Sequence, residues 1–309
     1  WVGRGRGWGR SRLTPRVAAA ALVAVLLWGG SYAAVKGAQA VIPPVPLATF
    51  RCLVAAVVLL AGLLLVRGRL PRLTAREWGT VALLGLAGNT VFQLCMVGGL
   101  RFTTPAHSAL LINVNPLLAT LLAAAWLGER LRPRRVAGIT LALGGVVLIV
   151  TRGGDLGTGA LLGDFLSLGA AVAWAVYSVA GKPILAVHRP LEVTTLATML
   201  GTLPLLPVGL PGLLRVPWTG LGLGTWALLV YLSVFTLVVA YLCWYWALAR
   251  APAARVVAFS YLTPVTAAAI SVGLGQDTLT APLLVGAAAV IAGVALAQLG
   301  RVDTAAARL

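Results

Sequence analysis

Apolar runs of about 20 residues recur along the whole chain, and this feature constrains the fold more than any other. An α-helix rising ~1.5 Å per residue needs ~20 such residues to cross ~30 Å of hydrocarbon. Hydrophobic residues make up 60% of the 309 positions and charged residues 10%, which leaves too little polar surface for a water-soluble globule. The runs are too long for the strands of a membrane β-barrel and lack their alternation. The sequence therefore predicts an all-α polytopic membrane protein.

We expect ten transmembrane helices. Glycine and proline recur inside the runs, as membrane helices tolerate when neighbouring helices satisfy the freed backbone groups. The expected spans cover residues 17–35, 46–66, 78–100, 103–126, 136–151, 160–181, 192–210, 222–248, 252–274 and 282–300.

The formal net charge of +17 is distributed by loop. Arginines precede the first expected span and follow the second, fourth, sixth, eighth and tenth, so that every second loop is basic. By the positive-inside rule, both termini lie in the cytoplasm of a multi-pass protein of the inner or plasma membrane. A nucleic-acid-binding role is not expected, because it would require the charge to be gathered on a solvated domain.

The chain contains two copies of one pattern. Trp28 begins WGGSYAAVK and Trp174 begins WAVYSVAGK, 146 residues later. At an offset of 148, Pro116 falls on Pro264 and Glu129 on Asp277, matches that chance does not readily produce in an apolar chain. Each copy holds five expected spans, an odd number, so the second copy enters the membrane from the opposite side. The prediction is two inverted five-helix repeats, an architecture common in secondary transporters.

The repeats define the expected domain organisation. We expect a basic cytoplasmic tail at 1–16, the first repeat at 17–151, the second at 160–300 and a second cytoplasmic tail at 301–309. The chain begins with Trp1 in place of methionine, so the start is expected to be truncated or misassigned. The Arg/Gly-rich stretch before the first span is interpreted as a tail and not as a signal peptide, because the following apolar segment is long enough to span a bilayer.

Three motifs resemble a known family: WGGSYAAVK at 28–36, PLATFRCLVAAVVLL at 46–60 and NPLLATLLAAAWLGERL at 115–131. Together they resemble the drug/metabolite transporter superfamily in its ten-helix form, which is built from two EamA domains. The second copy departs from the pattern, with GLGQDTL at 273–279 in place of the glutamate-arginine ending. The resemblance implies a transporter fold over nearly the whole chain. It does not imply one substrate, since relatives export amino acids, drugs or other metabolites.

Aromatic and hydroxyl side chains share one helical face in three of the expected spans. Rings offer stacking surface and hydroxyls offer hydrogen bonds, which suits a substrate cavity. The alternative is helix packing or an interfacial aromatic belt. The candidate cavity residues are Trp28, Ser31 and Tyr32 in the first span, Trp174, Tyr177 and Ser178 in the sixth, and Tyr241, Trp244 and Tyr245 in the eighth.

Polar residues precede or accompany a proline in the fourth and ninth spans. Asn115 stands before Pro116, while Ser260 and Thr263 stand before Pro264. Proline removes a backbone donor and frees a carbonyl one turn earlier. We expect Asn115, Ser260 and Thr263 to face a central cavity and the two prolines to act as hinges, the alternative being a kink that serves packing alone. Gln93 adds a polar position in the third span.

Arg51 is the only arginine set well inside an expected span. A guanidinium in hydrocarbon costs about 2.5–3.5 kcal/mol on insertion scales, so it must meet an acid, helix-end carbonyls, water or a ligand. It either snorkels outward or anchors an anionic group such as a substrate carboxylate.

The sequence gives little support to other functions. A serine hydrolase would need a nucleophile and base on adjacent helices, and the one histidine in a span, His107, neighbours Ser108 in sequence but points elsewhere. No phosphate-binding glycine loop, metal-ligand cluster or cysteine framework occurs, so no enzyme activity, cofactor or metal is expected.

The expected function is secondary transport, as an exporter of small metabolites such as amino acids by alternating access. A proton-coupled drug exporter of the same fold and, less favoured, a non-transporting membrane scaffold remain as alternatives. The expected partners are a small-molecule substrate and the lipid bilayer, and a homodimer is compatible with the sequence.

The inverted arrangement predicts the sidedness of two loops. With the native cysteines replaced by alanine, an Arg72→Cys variant should react with an impermeant maleimide only from the cytoplasmic side. A Gly157→Cys variant should react only from outside, because an odd number of spans separates the two loops. Labelling of both positions from one side would contradict the inverted repeat.

Overall fold

In the computed structural model, residues 14–127, 133–151, 158–248, 250, 256 and 258–298 are described, and every regular element among them is helical. The helices of the first half are α1 (Pro15–Ala38), α2 (Pro44–Arg67), α3 (Ala75–Gly99), α4 (Pro105–Ile112), α5 (Asn115–Leu127) and α6 (Pro133–Thr151). Proline occupies the first position of α1, α2 and α4, where the first turn has no partner for its N–H.

The second half contains α7 (Thr158–Val187), α8 (Pro190–Thr202), α9 (Leu205–Leu213), α10 (Leu223–Val230, Tyr231–Val239 and Ala240–Leu248 in succession), α11 (Leu262–Gly273) and α12 (Ala281–Gln298). A short 3₁₀ turn at Ala258–Tyr261 precedes α11.

Among the described residues, five helices are long and apolar enough to cross a membrane: α1, α2, α3, α7 and α10. The pair formed by α8 and α9 qualifies as a sixth when counted as one span bent by 66°. Shorter apolar helices at Val136–Leu148, Leu262–Gly273 and Ala281–Gly293 fall on three further expected spans but are shorter than a full membrane span in the described residues. Large apolar side chains such as Leu65 and Phe165 stand on the outer surface of the bundle, as expected of a protein whose solvent is lipid.

The structure differs from the expected spans in three places. The sixth expected span, 160–181, continues as α7 to Val187 and carries Pro183 inside the helix. The seventh is broken near Pro204. The fourth is interrupted at residues 113–114, just before Pro116, because proline supplies no N–H for the helical hydrogen bond to the preceding turn.

Two long helices contain π-helical segments at matching places in the two repeats. Leu86–Val91 is π-helical in α3, and Tyr231–Val239 is π-helical in α10. The 148-residue offset places the first segment on residues 234–239, inside the second. A π segment widens the turn and redirects backbone carbonyls, and such segments occur often at functional sites.

The main helix contacts between the two repeats recur between the equivalent helices with the repeats interchanged. Helix α1 packs against α10 and α11, and its counterpart α7 packs against α3, α4 and α5. Helix α2 packs against α10, and its counterpart α8 packs against α3. A bundle in which each contact recurs with the halves exchanged has an approximate two-fold axis between its halves.

The clearest sign of this axis is the antiparallel pair formed by α6 and α12. A Cβ added to Gly145 would lie 2.7 Å from the carbonyl oxygen of Gly286, and one added to Gly293 would lie 2.6 Å from that of Gly138. Gly138 and Gly286 are repeat equivalents, as are Gly145 and Gly293. The same contact is therefore made twice, and glycine is required because the two backbones touch.

This contact predicts a difference between adjacent glycines. Gly145→Ala should lower the stability of the fold by about 1–3 kcal/mol, because the new methyl group would overlap the backbone of α12. Gly144→Ala is the matched control, since no atom lies within 4 Å of its added Cβ and both changes gain the same helix propensity. Thermal unfolding of the purified variants measures the difference, and equal midpoints would contradict the close packing.

Candidate functional site

Seven aromatic side chains from α1, α3, α7 and α10 meet inside the bundle. Trp28 and its repeat equivalent Trp174 have ring centroids 5.7 Å apart, and Trp28 is also 5.8 Å from Tyr241 and 5.2 Å from Trp244. Most of these contacts are edge-on or tilted, the arrangement that aromatic quadrupoles favour. We call this group the aromatic cluster, and its members are Trp28, Phe92, Trp174, Tyr177, Tyr241, Trp244 and Tyr245.

The aromatic cluster lies in the half of the bundle nearer the start of α1. Its tyrosines and Trp244 are buried together with Val17 and Ala21 from the first turns of α1. Six of its seven members are among the predicted cavity residues, and their role in lining a substrate cavity stays a prediction. Phe92 was not predicted; its ring centroid lies 5.0 Å from that of Trp174.

Arg51 is 2% exposed and turns into the bundle, toward the π segment of α10. Its Nε donates to the carbonyl oxygen of Leu232 at 3.3 Å, and its Nη2 donates to Oγ1 of Thr236 at 3.2 Å. The side chain thus meets a backbone carbonyl and a hydroxyl rather than reaching outward to the membrane surface. Its Nη1 is buried and has no hydrogen-bond partner among the described residues.

The π segment that Arg51 contacts is also tied to α1. The indole Nε1 of Trp28 donates to the carbonyl oxygen of Thr236 at 3.1 Å. The hydroxyl of Tyr231 donates to the carbonyl oxygen of Leu27 at 2.7 Å. The guanidinium and the aromatic cluster therefore share Thr236 as a neighbour. Thr236 was not predicted as a site residue. The sequence shows a threonine at position 236 within an expected span, but it does not show the π-helical geometry that brings the Thr236 hydroxyl to Arg51.

Further polar atoms are buried near this region. Cys52 Sγ lies 3.6 Å from the carbonyl oxygen of Asn89, which places α3 beside the segment that carries Arg51. Asn89 Nδ2, Gln93 Oε1 and the Tyr241 hydroxyl are buried and have no partner in the described part of the chain. A polar atom left unsatisfied in an apolar interior costs about 1–3 kcal/mol. The interior of the bundle thus presents both donors and acceptors that a polar solute could satisfy.

The remaining predicted cavity residues are more dispersed. Ser31 and Ser178 donate to carbonyl oxygens of their own helices, those of Trp28 and Trp174, and Ser178 is exposed. Tyr32 is buried in a separate apolar group with Met96 and Ile112, nearer the end of α1.

The two proline regions have similar local structure. Asn115 Nδ2 donates to the carbonyl oxygen of Ile112 across the helix break. In the second repeat, Ser260 is half-buried in the 3₁₀ turn and Thr263 is buried at the start of α11. Pro116 and Pro264 are both buried shortly after an irregular turn. The geometry thus places an irregular turn before each proline, and hinge motion at these positions stays a prediction.

Hydrogen bonds and ion pairs join the two halves at each end of the bundle. At the end where α1 begins, Arg67 pairs with Glu192, and His188 Nε2 lies 2.9 Å from Oε1 of Glu77. At the opposite end, Thr103 Oγ1 donates to Oδ1 of Asp164 at 2.8 Å. The Ala106 N–H also donates there, to Oδ2 of Asp277 at 3.0 Å.

Comparison with known proteins identifies the family. The sequence pattern of the EamA-like transporter family matches residues 16–151 and again residues 161–299. The chain belongs to the EamA-like transporter family. Because the pattern matches twice, this EamA-like transporter contains two copies of the family's unit, as the internal repeat indicated.

Individual relatives of this EamA-like transporter are named for transport. The chain is 35% identical to a probable terminal-alkyne amino-acid exporter of Streptantibioticus cattleyicolor over 233 residues, 74% of this chain and 75% of the relative. It is 29% identical to a probable amino-acid metabolite efflux pump of Salmonella typhimurium over 283 residues, 88% of this chain and 91% of the relative. One crystal structure superposes with a TM-score of 0.64 at 25% identity, covering 95% of this chain and 99% of the other.

The contact between Arg51 and α10 predicts how removal of the Thr236 hydroxyl affects the stability of the fold. Thr236→Val should lower the unfolding free energy by about 1–3 kcal/mol, because the Nη2 of a buried guanidinium loses its acceptor. Ser233→Ala is the matched control: Ser233 is buried in the same π segment, and its hydroxyl donates to the Leu229 carbonyl within the helix. Calorimetry or fluorescence-monitored unfolding distinguishes them. Equal destabilisation by both changes would show that the Arg51 contact carries no special weight.

Proposed function

We propose that this EamA-like transporter exports amino-acid-like metabolites across the cell membrane by alternating access, without ATP. The proposal includes ten transmembrane helices in two inverted repeats, with both termini in the cytoplasm. The arginine-rich alternate loops support this orientation. The antiparallel pairing of α6 with α12 supports the inversion, since equivalent helices of inverted repeats run in opposite directions.

The observation that carries the substrate proposal is the buried Nη1 of Arg51. Nε and Nη2 of this guanidinium are held by α10, while Nη1 has no partner among the described residues. A planar guanidinium recognises a carboxylate through parallel N–H groups, which a lysine ammonium does not reproduce. The neighbouring aromatic cluster supplies apolar surface for the rest of a small solute. Two relatives, one named for export of an amino acid and one for efflux of amino-acid metabolites, are consistent with such a substrate.

The exchange of helix contacts between the halves supports the alternating-access part of the proposal. If the two repeats adopt different conformations and then swap them, the cavity that opens to one side closes and its counterpart opens to the other. The cross-half contacts at each end, Arg67 with Glu192 and Thr103 with Asp164, are then the ones that must break in turn. Binding energy at the centre can shift this equilibrium only if the solute contacts both halves, and Arg51 on α2 together with Tyr241 on α10 meets that condition.

A proton-coupled drug exporter is the second candidate, and Asp164 is the observation that favours it. Asp164 is 1% exposed within α7, and acids inside membrane segments commonly carry protons in pumps and transporters. It lies nearer the opposite end of the bundle from the aromatic cluster, where its Oδ1 accepts from Thr103 Oγ1. Flux of cationic dyes driven by a pH gradient, with no flux of amino acids, would favour this candidate.

Arg51→Lys tests the carboxylate proposal directly. The lysine keeps the positive charge and the membrane insertion but lacks the planar set of guanidinium N–H groups. Transport of a carboxylate-bearing amino acid should therefore fall by about tenfold or more, as expected when a charge-assisted hydrogen bond worth about 1.5–3 kcal/mol is lost. The assay is flux of labelled amino acids through proteoliposomes, with the amount of inserted protein measured in parallel. Arg215→Lys is the matched control, because Arg215 is an exposed arginine in a loop.

Two results would contradict the proposal. Normal transport by Arg51→Lys would show that the guanidinium fork is not needed for the substrate. A loss of transport no larger than that caused by Thr236→Val, which keeps the guanidinium but removes its contact with α10, would show that the effect comes from the weakened link between α2 and α10 and not from substrate binding.

A further inference from the structure

The loop between α11 and α12, residues 274–280, belongs to the second half of the chain but bonds to helices of the first half. Gln276 Nε2 donates to the carbonyl oxygen of Ala33 in α1 at 3.4 Å. Oδ2 of Asp277 accepts from the backbone N–H of Ala106 in α4 at 3.0 Å. The loop therefore ties the two halves together at the end of the bundle that faces outside in the proposed orientation.

The Asp277 carboxylate completes the first turn of α4. N–H groups in the first turn of a helix have no partner within the helix. Oγ1 of Thr104 accepts from the His107 N–H at 3.4 Å, which leaves the Ala106 N–H for Asp277. A negative charge is also favoured at a helix N-terminus, and the charge of Asp277 attracts the ammonium of Lys36 at the end of α1. One acid of the second half thus meets two positive features of the first.

The sequence repeat places an acid and a helix start at the corresponding positions of the other end. At the 148-residue offset that also relates the glycine contacts of α6 and α12, Glu129 falls on Asp277 and Ala106 falls on Ala254. Glu129 and Ala254 lie outside the described residues, so their relation is argued from the repeat alone. Glu129 is in the first half and Ala254 is in the second, so a bond between them would also join the halves.

Two further features of the sequence support this second contact. Lys182 stands 146 residues after Lys36, so the ammonium that attracts the acid is present in both copies. Residues 251–254 read APAA, and none of these side chains can accept from a backbone N–H. The start of that helix therefore depends on an acceptor from another part of the chain, and Glu129 is the acid that the repeat assigns to it.

We propose that Asp277 and Glu129 are equivalent latches of the two gates. Asp277 holds the outer end closed by capping α4, and Glu129 holds the cytoplasmic end closed by capping the helix start at Ala254. Each bond forms only when its end is closed, so each acid shifts the equilibrium toward the closed form of that end. The assignment of the ends, and the expectation that the two bonds form in turn, rest on the proposed function.

Two buried positions can report the opening of each end. Ser108 lies two residues beyond Ala106 in α4, and its Oγ accepts from Ser167 of the second half at 2.9 Å. Val256 falls on Ser108 at the 148-residue offset, and both residues are 0% exposed. A cysteine at either position should react with an impermeant maleimide only while its end is open. The rate of labelling therefore measures the open population.

The test of the outer latch uses Ser108→Cys in the full chain with its native cysteines replaced by alanine. Adding Asp277→Ala should raise the rate of labelling from outside by about threefold or more, because a bond of the closed form is lost. Asp277→Asn keeps an oxygen acceptor but loses the charge, so it should give a smaller rise. Thr278→Ala is the matched control. Thr278 is exposed in the same loop, and the change keeps its backbone N–H, which donates to Oδ1 of Asp277.

The test of the inner latch uses Val256→Cys in inverted membrane vesicles. Glu129→Ala should raise the rate of labelling from the cytoplasmic side by a similar factor, and Glu129→Gln should give a smaller rise for the same reason as Asp277→Asn. Neither change should raise the labelling of Ser108→Cys from outside.

The latch proposal is overturned if both Asp277 variants label at the rate of Thr278→Ala, or if neither Glu129 variant raises the labelling of Val256→Cys. If an alanine variant does not fold, the amide variant at the same position decides. Alternating access further requires that Asp277→Ala slow the labelling of Val256→Cys and that Glu129→Ala slow that of Ser108→Cys. If each variant opens its own end without slowing the other, the latches stand and the alternating-access part of the proposed function fails. The substrate assignment does not enter, because labelling needs no substrate.

Discussion

Hydrocarbon offers no hydrogen bonds, so every departure from a regular helix inside this bundle must be compensated by another part of the chain. The π segment of α10 illustrates the constraint. The carbonyl oxygen of Leu232 accepts from Arg51 and from the hydroxyl of Thr236, and the carbonyl oxygen of Thr236 accepts from Trp28. The irregular segment is therefore held by α1 and α2 together. In water, solvent could satisfy the backbone groups that the π segment leaves free. In lipid, side chains of α1 and α2 satisfy them, and these bonds fix the positions of α1, α2 and α10 relative to one another.

The same constraint explains why glycine is placed where it is. Apolar burial drives little association between helices in lipid, and close packing takes its place. The two glycine contacts between α6 and α12 bring the backbones together, and Gly85 and Gly201 do the same for α3 and α8, where a Cβ on Gly201 would overlap the Gly85 carbonyl oxygen. Such contacts bring the axes of the two helices close together, because no side chain separates the backbones.

Much of this architecture could be predicted from the sequence, because its physical signals are strong. Apolar run length set the helices, and a shared offset between Trp, Lys and Pro positions revealed the repeat. Residue spacing placed Trp174 with Tyr177 on one face of the sixth expected span and Tyr241 with Trp244 on one face of the eighth, since side chains at three- and four-residue spacing point the same way.

Other features could not be predicted, because they depend on contacts between distant segments. The π segments, the 66° bend between α8 and α9 and the choice of Thr236 as a partner for Arg51 have no local pattern that distinguishes them. Asn115 was placed on a cavity-facing stripe, but its amide closes on the carbonyl of Ile112. A helical wheel assumes an unbroken helix, and the break at residues 113–114 removes that assumption.

The two-fold arrangement of the backbone is not matched by the chemistry of the side chains. Arg51 falls on Ala197 at the 146-residue offset that relates Trp28 to Trp174 and the start of α2 at Pro44 to the start of α8 at Pro190, so α8 carries no guanidinium at the corresponding place. At the 148-residue offset, Gln93 falls on Tyr241, which exchanges an amide for a phenol. The gates of such a protein need equivalent halves, because each must be able to adopt the conformation of the other. Recognition of one solute needs the opposite: a single set of groups whose positions are not duplicated across the axis. On the proposed function, the symmetry retained in the glycine contacts serves the exchange of conformations, and the asymmetry around Arg51 serves recognition of the solute.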